Sequence, residues 1–600
     1  MDTKYRSHDV TRIDRADGTI LLRSNGTLGS VAERTTDWLD HWAEVTPDAV
    51  FLAERSGAGW HEVTFASARA QARGLAAGLL DLGLGPDAPI LIVSGNSVNH
   101  GLLALAAQYI GAPIVPLAEQ YALIPDARVQ IDFVAGLVKP AAVFADDGDA
   151  LADVLARDVF VGVHKLVGRG GGADAKPLAA LARVNGDITH AHAQVGPDTV
   201  AKILMTSGST SAPKGVPTTH RMMCVNQAQI AYGLPFLTTR PPVIVDWLPW
   251  NHVFGGSHNF NMMLANGGAL YIDSGKPVRH LVGKTLENMK LKSATMAFNV
   301  PLGFAMLRDA LKADAALRYS FFAELDMLFY AGASLGQDVW TDLEDMAREV
   351  RGDIPLFTSS WGLTETAPAG LLQYQPTNRS GVVGVPLPQV DIKLIPDEDM
   401  RCEVRISGPS VFKEYLNAPE QTADAFDEEG FYKTGDAMLF VDPDNADLGM
   451  RFDGRISEEF KLVSGTWVRA ANVRMDVLGA LAGIVGDIII TGADRGDIGL
   501  LIVPSVAMRE APDTVDLDGA LLCPSVAEDL RTRLSAIGGS SSTRIARALI
   551  LTEPLSMPDG EVTAKGSINF KKLMTRRAGL LERLYDDADP ATLLMEKTSK

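Results

Sequence analysis

A short segment of this chain concentrates hydroxyl and glycine residues ahead of a single lysine. From Leu204 to Pro217 it reads LMTSGSTSAPKGVP. Small residues let a backbone fold around an anion with its N–H groups turned inward, and the hydroxyls and Lys214 add donors and charge. The run TVAKILM before it predicts a strand, and Pro-Lys-Gly stiffens its end. These features favour a phosphate-binding loop over a flexible Ser/Gly connection, although the G-x(4)-G-K-[ST] spacing of a P-loop is absent.

Alternating strands and helices surround this loop. The runs APILIVSG (88–95), PIVPLA (113–118), PVIVDWLP (242–249) and LDMLFYAGA (325–333) predict strands, with helices at 67–83 and from Gly101. Such alternation predicts an α/β fold, with parallel-rich sheets and flanking helices. The turn-rich stretch 441–450 approaches a linker, so we predict a large domain at 1–453 and a small α+β domain at 454–600. In the latter, VGDIIITGA and GLLIVP predict strands, and 525–536 and 569–585 predict helices.

Composition excludes several classes of function. The chain has 600 residues and a net charge of −19, which argues against broad nucleic-acid binding. Its 3 cysteines lie far apart and supply neither a disulfide framework nor a zinc site. The N-terminus is charged and lacks an apolar core, and the longest uncharged run, from Gly101, is broken by Gly111, Pro113 and Pro116. We therefore expect no signal peptide or membrane span and a cytoplasmic location; a homodimer is left open.

Four further segments follow the loop in an order that resembles the adenylate-forming enzymes, the family of acyl-CoA synthetases, luciferases and nonribosomal adenylation domains. AGASL (331–335) resembles the adenine-contacting turn, and WGLTET (361–366) the aromatic-Gly-x-Thr-Glu motif. YKTGD (432–436) resembles the ribose segment, and GRISEEFK (454–461) the hinge. A finer likeness to the feruloyl-CoA synthetase branch rests on the segments 247–277, 298–304, 465–468 and 560–585 and on the opening DGTILLRS.

The resemblance implies activation of a carboxylic acid by ATP, with Mg²⁺, and transfer of the acyl group to coenzyme A. It also implies a β-barrel-like portion in the large domain and a mobile small domain. The implied nucleotide- and CoA-binding positions are Thr206, Ser207, Gly208, Ser209, Thr210 and Lys214 in the loop, Gly332, Ala333 and Ser334 in the turn, Trp361, Gly362 and Thr364 in the next motif, and Asp436, Arg455, Lys461 and Gly465 further on.

Implied catalytic residues are Glu365, Thr364, His252 and Lys565. Glu365, with Thr206, would hold Mg²⁺, and Thr364 would bond the α-phosphate. The acid pocket would be lined by His252, Phe254, Asn299, Ala333, Ser359 and Trp361. The lysine assignment departs from the common TxSGK form, because glycine follows Lys565 in VTAKGSIN, and Lys571 and Lys572 are the alternatives. Ser457 stands where the hinge usually has Asp or Lys.

The sequence leaves the acid open. The aryl-branch segments favour a hydroxycinnamate or ferulate-like acid, with benzoates, fatty acids and terpenoid acids as alternatives. Loading of a carrier protein and binding without catalysis are the rival functions. The chemistry itself places the same demands on every acid, because both half-reactions concentrate negative charge and need positioned donors, a metal and a lysine.

Overall fold

The computed structural model describes residues 5–183, 186–207, 213–481, 484–556, 559–562 and 568–595. Within them the chain divides into two compact units. The first takes in the described residues up to 206, together with 213–434 and 439–452, and the second takes in residue 207, 435–438 and the described residues from 453 onward. The separate functional roles of the domains 1–453 and 454–600 stay a prediction.

The strands, numbered along the chain, are β1 Val10–Asp14, β2 Ile20–Ser24, β3 Val50–Ser56, β4 Gly59–Thr64, β5 Ile90–Ile92, β6 Ile114–Pro116, β7 Ala142–Asp147, β8 His164–Arg169, β9 Ala175–Pro177, β10 Val200–Ser207, β11 Pro213–Thr219, β12 Val243–Asp246, β13 Ala269–Ile272, β14 Met296–Asn299, β15 Met327–Tyr330, β16 Leu356–Gly362, β17 Ala369–Leu372, β18 Val382–Pro386, β19 Asp391–Pro396, β20 Cys402–Ser407, β21 Tyr432–Phe440, β22 Met450–Arg455, β23 Phe460–Lys461, β24 Trp467–Val468, β25 Val485–Thr491, β26 Ile498–Pro504, β27 Val515–Asp516, β28 Ala520–Leu522, β29 Ile545–Leu551 and β30 Leu593–Leu594.

The α-helices, numbered in the same way, are α1 Thr35–Val45, α2 Phe65–Asp81, α3 Val98–Tyr109, α4 Gln120–Leu123, α5 Val129–Val138, α6 Ala152–Leu155, α7 Leu178–Leu181, α8 Thr189–Gln194, α9 His220–Gly233, α10 Phe260–Ala265, α11 Val282–Leu291, α12 Pro301–Ala313, α13 Ala315–Phe322, α14 Gln337–Arg351, α15 Pro419–Ala425, α16 Ala470–Ala480, α17 Val506–Glu510, α18 Pro524–Ile537, α19 Phe570–Arg576 and α20 Ala578–Leu584. A π-helix, Phe254–Asn259, precedes α10.

Parallel strands dominate the sheet that follows the N-terminal helices. Its order is β11–β10–β6–β5–β7–β8–β9, and every pairing from β10 to β9 is parallel. Parallel strands buried on both faces have continuous apolar sequences, as in β5, where Ile90, Leu91 and Ile92 are all inaccessible to solvent. The predicted strands at 88–95 and 113–118 are β5 and β6, and the predicted strand before the loop is β10.

A second large sheet changes from parallel to antiparallel pairing along its length. Its order is β1–β2–β19–β20–β21–β22–β18–β17–β16–β15–β14. The strands β14, β15 and β16 are parallel, whereas β16–β17, β17–β18 and β18–β22 are antiparallel. In the described residues the expected barrel-like portion is thus an antiparallel extension of an open sheet, since β1 and β14 remain edge strands. The bend at 441–450 joins β21 to β22.

A smaller sheet completes the first unit, and the second unit has a core of its own. The smaller sheet has the order β12–β13–β3–β4. In the second unit β25, β26, β29, β28 and β27 pair in that order, with β30 against β29, and β23 pairs with β24. Val477, Leu530 and Leu534 on α16 and α18 pack with Ile488 and Leu500 in one buried cluster. The predicted α/β fold with a smaller C-terminal domain is confirmed.

Candidate active site

The segments 298–304, 331–335 and 361–366 meet at one edge of the second large sheet. Parallel pairing brings together the carboxyl ends of β14, β15 and β16, which finish at Asn299, Tyr330 and Gly362. Ligands of open parallel sheets bind outside the carboxyl ends of the strands. The AGASL turn follows β15, and the TET turn follows β16, so this edge is the natural place for a ligand.

The predicted phosphate loop joins two neighbouring strands of the first large sheet, β10 and β11. Thr206 is half-buried near the end of β10, and Lys214 is half-buried at the start of β11. Gly208, Ser209 and Thr210 lie outside the described residues, as does the side chain of Ser207. The strand framework of the loop is therefore in place, and the roles of its hydroxyls stay a prediction.

Lys214 is linked to the Glu365 motif through a tyrosine. The Lys214 ammonium lies 4.4 Å from the centroid of the Tyr415 ring. The Tyr415 hydroxyl donates a hydrogen bond to Glu365 Oε1 at 3.0 Å. A cation over an aromatic face is attracted by the ring quadrupole. The loop lysine and the acidic residue of WGLTET thus share one intervening side chain.

Tyr415 is held as a hydrogen-bond donor. Burial and the negative charge of Glu365 raise the pKa of Tyr415 above its ordinary value of 10.0, so the phenol keeps its proton at neutral pH. Its ring lies 4.7 Å from that of Phe412, and its hydroxyl lies 3.3 Å from that of Tyr432. Sequence reasoning missed Tyr415, because nothing in the segment VFKEYLN distinguishes it from a core tyrosine.

The turn that carries Thr364 and Glu365 is tightly built. Both residues are buried in a 3₁₀ turn, Thr364–Thr366. Its last residue accepts a hydrogen bond from Leu363 N at 2.8 Å through Oγ1. A Cβ atom on Gly362 would lie 1.7 Å from the Pro368 carbonyl oxygen, so a side chain cannot be accommodated there without a backbone shift. Glycine is needed for this close approach of two backbones.

The other motif residues at this edge differ in exposure. Gly332 has φ +90°, a left-handed conformation that glycine adopts without strain. Ala333 is exposed and Ser334 is half-buried. Ser359 and Trp361, on β16, are buried at 4% and 5% exposure. The turn residues are therefore accessible to a ligand, whereas Ser359 and Trp361 are buried on β16.

The predicted acid-pocket residues His252 and Phe254 belong to one compact segment. His252 is half-buried, and its Nδ1 accepts a hydrogen bond from Phe254 N at 3.3 Å. Phe254 begins the π-helix Phe254–Asn259. Lys202, buried on β10, donates a hydrogen bond to the Gly256 carbonyl, and burial lowers the pKa of Lys202 to about 7. The loop strand and the pocket segment are therefore tied together.

A cluster of aromatic rings surrounds Phe254. Its ring centroid lies 5.6 Å from Phe329 and 6.2 Å from Phe298, and these two lie 5.3 Å apart on the paired strands β15 and β14. His258 completes the cluster, at 5.0 Å from Phe329. Asn299, next to Phe298, is buried and accepts a hydrogen bond from Trp247 Nε1 at 3.1 Å. These four rings are the aromatic cluster; sequence reasoning did not single out His258, Phe298 or Phe329.

The remaining predicted positions lie in the second unit. Arg455 Nε is 3.2 Å from Asp436 Oδ1, and Asp436 is buried while Arg455 is half-exposed. Lys461 Nζ is 4.7 Å from the Trp467 ring centroid. Gly465 is exposed with φ +83°, and a Cβ there would meet nothing within 4 Å. The structure thus brings Asp436 and Arg455 together.

Lys565 lies outside the described residues, but the segments on either side of it are firmly held. Val562 and Ile568 form an antiparallel bridge. Glu561, which is inaccessible to solvent, accepts hydrogen bonds from Arg577 Nε at 2.7 Å and from Arg577 Nη2 at 2.9 Å. A two-bond ion pair of this kind fixes direction as well as distance. The chain is therefore anchored where it enters and leaves the segment of Lys565.

The described residues fit a magnesium ion bound jointly with phosphates. Among them there is no group of three or more His, Cys, Asp or Glu residues that could hold a metal. Mg²⁺ at nucleotide sites uses one or two carboxylates and takes its other ligands from substrate phosphates and water. Glu365, buried and close to the Lys214 strand through Tyr415, offers such a single carboxylate. No helix in the described part of the chain has the length and apolarity needed to span a membrane.

A buried acidic turn and an aromatic cluster lie at the carboxyl ends of parallel strands, where open α/β sheets bind their ligands. Residues 39–416 match the AMP-binding enzyme family, and the chain belongs to that family.

The chain is also similar to individual relatives. It is 27% identical to 4-coumarate–CoA ligase 5 of Oryza sativa subsp. japonica over 65% of this chain and 70% of the relative. It is 26% identical to 4-chlorobenzoate–CoA ligase of an Arthrobacter species over 71% of this chain and 77% of the relative. The A domain of carboxylic acid reductase from Segniliparus rugosus, solved with AMP and a co-purified carboxylic acid, has the same fold, with a TM-score of 0.69 at 18% identity over 92% of this chain and 94% of that one. Family and relatives support an adenylate-forming acid–CoA ligase that uses ATP and CoA.

Proposed function

We propose that this enzyme activates a flat, ring-bearing acid of the hydroxycinnamate type with ATP and transfers the acyl group to coenzyme A. The observation that carries this choice of acid is the aromatic cluster of Phe254, His258, Phe298 and Phe329 beside the carboxyl ends of β14 and β15. Aromatic rings pack on one another at centroid distances of about 4.5–7 Å, so a planar substrate ring extends such a cluster. Two of the relatives above are named as ligases of aromatic acids.

In the first half-reaction a carboxylate oxygen attacks the α-phosphorus of ATP, and pyrophosphate leaves. In the second, the thiol sulfur of coenzyme A attacks the acyl carbon, AMP leaves, and the thiol proton is lost to water. Neither step needs redox chemistry, and both gather negative charge in a small volume. Positioned donors and cations are therefore the main source of rate enhancement.

The loop between β10 and β11 and the WGLTET turn provide the groups for the phosphates in this proposal. Lys214, stacked on Tyr415, places a positive charge beside the loop that follows β10. We assign Thr206 and the loop hydroxyls to the phosphates and Thr364 to the α-phosphate. Glu365, with Thr206, would hold Mg²⁺, which neutralises phosphate charge when bound. Tyr415 fixes one oxygen of Glu365 and leaves the other for this purpose.

His252 is suited to orient the carboxylate of the acid. Its Nδ1 accepts the Phe254 N–H, so in the neutral ring the proton must sit on Nε2. An Nε2–H group donates to a carboxylate without bringing a second positive charge. Asn299, Ala333, Ser359 and Trp361 complete the pocket in this proposal.

The second unit supplies the other assigned groups. Asp436 and Arg455, 3.2 Å apart, are assigned to the ribose hydroxyls, because a carboxylate accepts from both hydroxyls of a diol. Lys565 is assigned to the carboxylate and the α-phosphate. Lys461 is assigned to the nucleotide, and the open backbone at Gly465 to the pantetheine arm.

The test is an acid panel with ATP, Mg²⁺ and CoA, in which AMP and acyl thioester are measured separately. Hydroxycinnamates should give both products, and removal of CoA should stop thioester formation. Thioester formation from palmitate but from no aromatic acid would refute the choice of acid and leave the enzyme class intact. Adenylate formation with every acid but no thioester to CoA would instead support loading of a carrier protein.

A further inference from the structure

His258 is a buried polar residue in the aromatic cluster. It lies on the π-helix Phe254–Asn259 and is 1% exposed. Its ring centroid lies 5.0 Å from Phe329 and 5.7 Å from each of Phe254 and Phe298. These neighbours are hydrocarbon rings, which offer no N–H or O–H group.

A chain of hydrogen bonds decides which nitrogen of His258 carries the proton. Leu248 N and Asn259 Nδ2 donate to the two oxygens of Asp246 at 3.1 and 2.8 Å. An ionised carboxylate only accepts, so the amide nitrogen of Asn259 must face it. The amide oxygen then faces His258 Nδ1, at 2.9 Å. That nitrogen must therefore donate, and it carries the proton.

The opposite nitrogen of His258 is consequently a bare acceptor. Burial lowers the pKa of His258 to about 4, so the ring is neutral at neutral pH and Nε2 holds a lone pair. Nε2 is buried and has no hydrogen-bond partner among the described residues. A buried acceptor without a donor costs about 1–3 kcal/mol. A ligand that brings a donor to this position would recover that cost.

We propose that His258 Nε2 accepts a hydrogen bond from a hydroxyl group on the ring of the acid substrate. This inference rests on the proposed function, and it makes His258 the residue that selects hydroxylated acids over acids without the hydroxyl. A phenol brings the donor, whereas an unsubstituted ring leaves Nε2 unpaired. A methyl ether brings only an acceptor, which opposes the lone pair.

The experiment compares kcat/KM for 4-hydroxycinnamate, cinnamate and 4-methoxycinnamate at about pH 8.5, where Asp246, whose pKa burial raises to about 7, is ionised. The native enzyme should prefer the phenol over cinnamate roughly 10- to 100-fold. His258→Phe keeps an aromatic ring and removes the acceptor, so that ratio should fall to about 1 while turnover of cinnamate persists.

The matched control is His220→Phe. His220 is also fully buried with no partner for Nε2 in the described chain, but its Nδ1 accepts from Thr35 N at 3.2 Å, and no ring contact joins it to the aromatic cluster. Its replacement should leave the acid preference unchanged, whatever it does to the rate.

A second variant tests the relay and does not depend on folding of the first. Asp246 is a positioning residue. In Asp246→Asn the new amide can still accept from Leu248 N and then donates to Asn259, whose amide must turn over. His258 Nδ1 would accept in that arrangement and Nε2 would donate. The phenol oxygen and the ether oxygen can both accept from Nε2–H, so the native preference for 4-hydroxycinnamate over 4-methoxycinnamate should fall roughly tenfold or more, a change that a merely structural role would not produce.

The outcomes are distinct. The assignment is supported by loss of the phenol preference in His258→Phe, or by loss of the preference for 4-hydroxycinnamate over 4-methoxycinnamate in Asp246→Asn. If native enzyme and His258→Phe prefer the phenol over cinnamate equally, the assignment of His258 is overturned and the proposed function stands. If His258→Phe is unfolded, an unchanged preference between 4-hydroxycinnamate and 4-methoxycinnamate in Asp246→Asn overturns the assignment in the same way. No turnover of any of the three acids by native enzyme that does turn over palmitate overturns the proposed function, and the assignment with it.

Discussion

The contact between Tyr415 and Glu365 allows one hydroxyl group to be tested in isolation. Tyr415→Phe removes the O–H that donates to Glu365 Oε1 at 3.0 Å and keeps the ring on which Lys214 lies, 4.4 Å from the centroid. A hydrogen bond to a charged group contributes about 1.5–3 kcal/mol. If that energy holds Glu365 in its working position, kcat/KM for adenylate formation should fall roughly 10- to 150-fold.

Tyr415→Leu removes the ring as well, and with it the cation–ring attraction, which contributes about 0.5–2 kcal/mol. Its loss should therefore exceed that of Tyr415→Phe. The assay is pyrophosphate release with saturating acid and no CoA, together with urea unfolding of each variant. Tyr319→Phe, in which a 65% exposed tyrosine loses its hydroxyl, is the matched control. Full adenylation activity in Tyr415→Phe with a lower free energy of unfolding would mean that the hydroxyl is purely structural.

Three further predictions concern other parts of the site. Glu365→Ala should raise the activation free energy of Mg²⁺-dependent adenylation by about 2.7–4 kcal/mol or more. Unchanged turnover with ATP and Mg²⁺ would show that Glu365 is not part of the metal site. Lys565→Ala should slow adenylate formation roughly 10²–10³-fold and spare thioester formation from supplied adenylate. If Lys572→Ala instead of Lys565→Ala lost adenylate formation, the adenylation lysine would be reassigned to Lys572. Burial by itself would raise the pKa of Glu561, but hydrogen bonds from Arg577 and Ser556 outweigh it and lower that pKa from 4.5 to about 2. The stability that this ion pair contributes should thus be full above pH 4.5 and lost as the pH falls toward about 2. Arg577→Met should lower the free energy of unfolding at neutral pH by about 3–5 kcal/mol. In urea titrations at several pH values, the free energy of unfolding of this variant should depend less on pH in the acid range.

Local patterns determined much of the fold in advance. The run ILI at 90–92 predicts a buried strand because apolar residues without alternation suit a strand covered on both faces, and the structure has β5 there. The helix predicted at 525–536 is α18, Pro524–Ile537. The helix predicted at 569–585 is two helices, α19 and α20, that meet at Arg577. Apolar periodicity extends across the break, whereas the buried contact of Arg577 with Glu561 that accompanies it is not visible in the pattern.

The candidate site likewise has a part that can be read from local sequence and a part that only the tertiary structure assembles. The sequence by itself predicts a phosphate loop at 204–217 and singles out the WGLTET turn, because their chemistry depends on residue types that are adjacent in the chain. Only the tertiary structure decided that Tyr415 reaches Glu365, 50 positions away, and that His258 lies among Phe298 and Phe329. Parallel pairing of β14 with β15 sets Phe298 beside Phe329, and the Asn259 amide turns His258 into an acceptor. Side chains that meet through sheet pairing, and protons that are assigned through a hydrogen-bond chain, leave no periodic signal in a sequence.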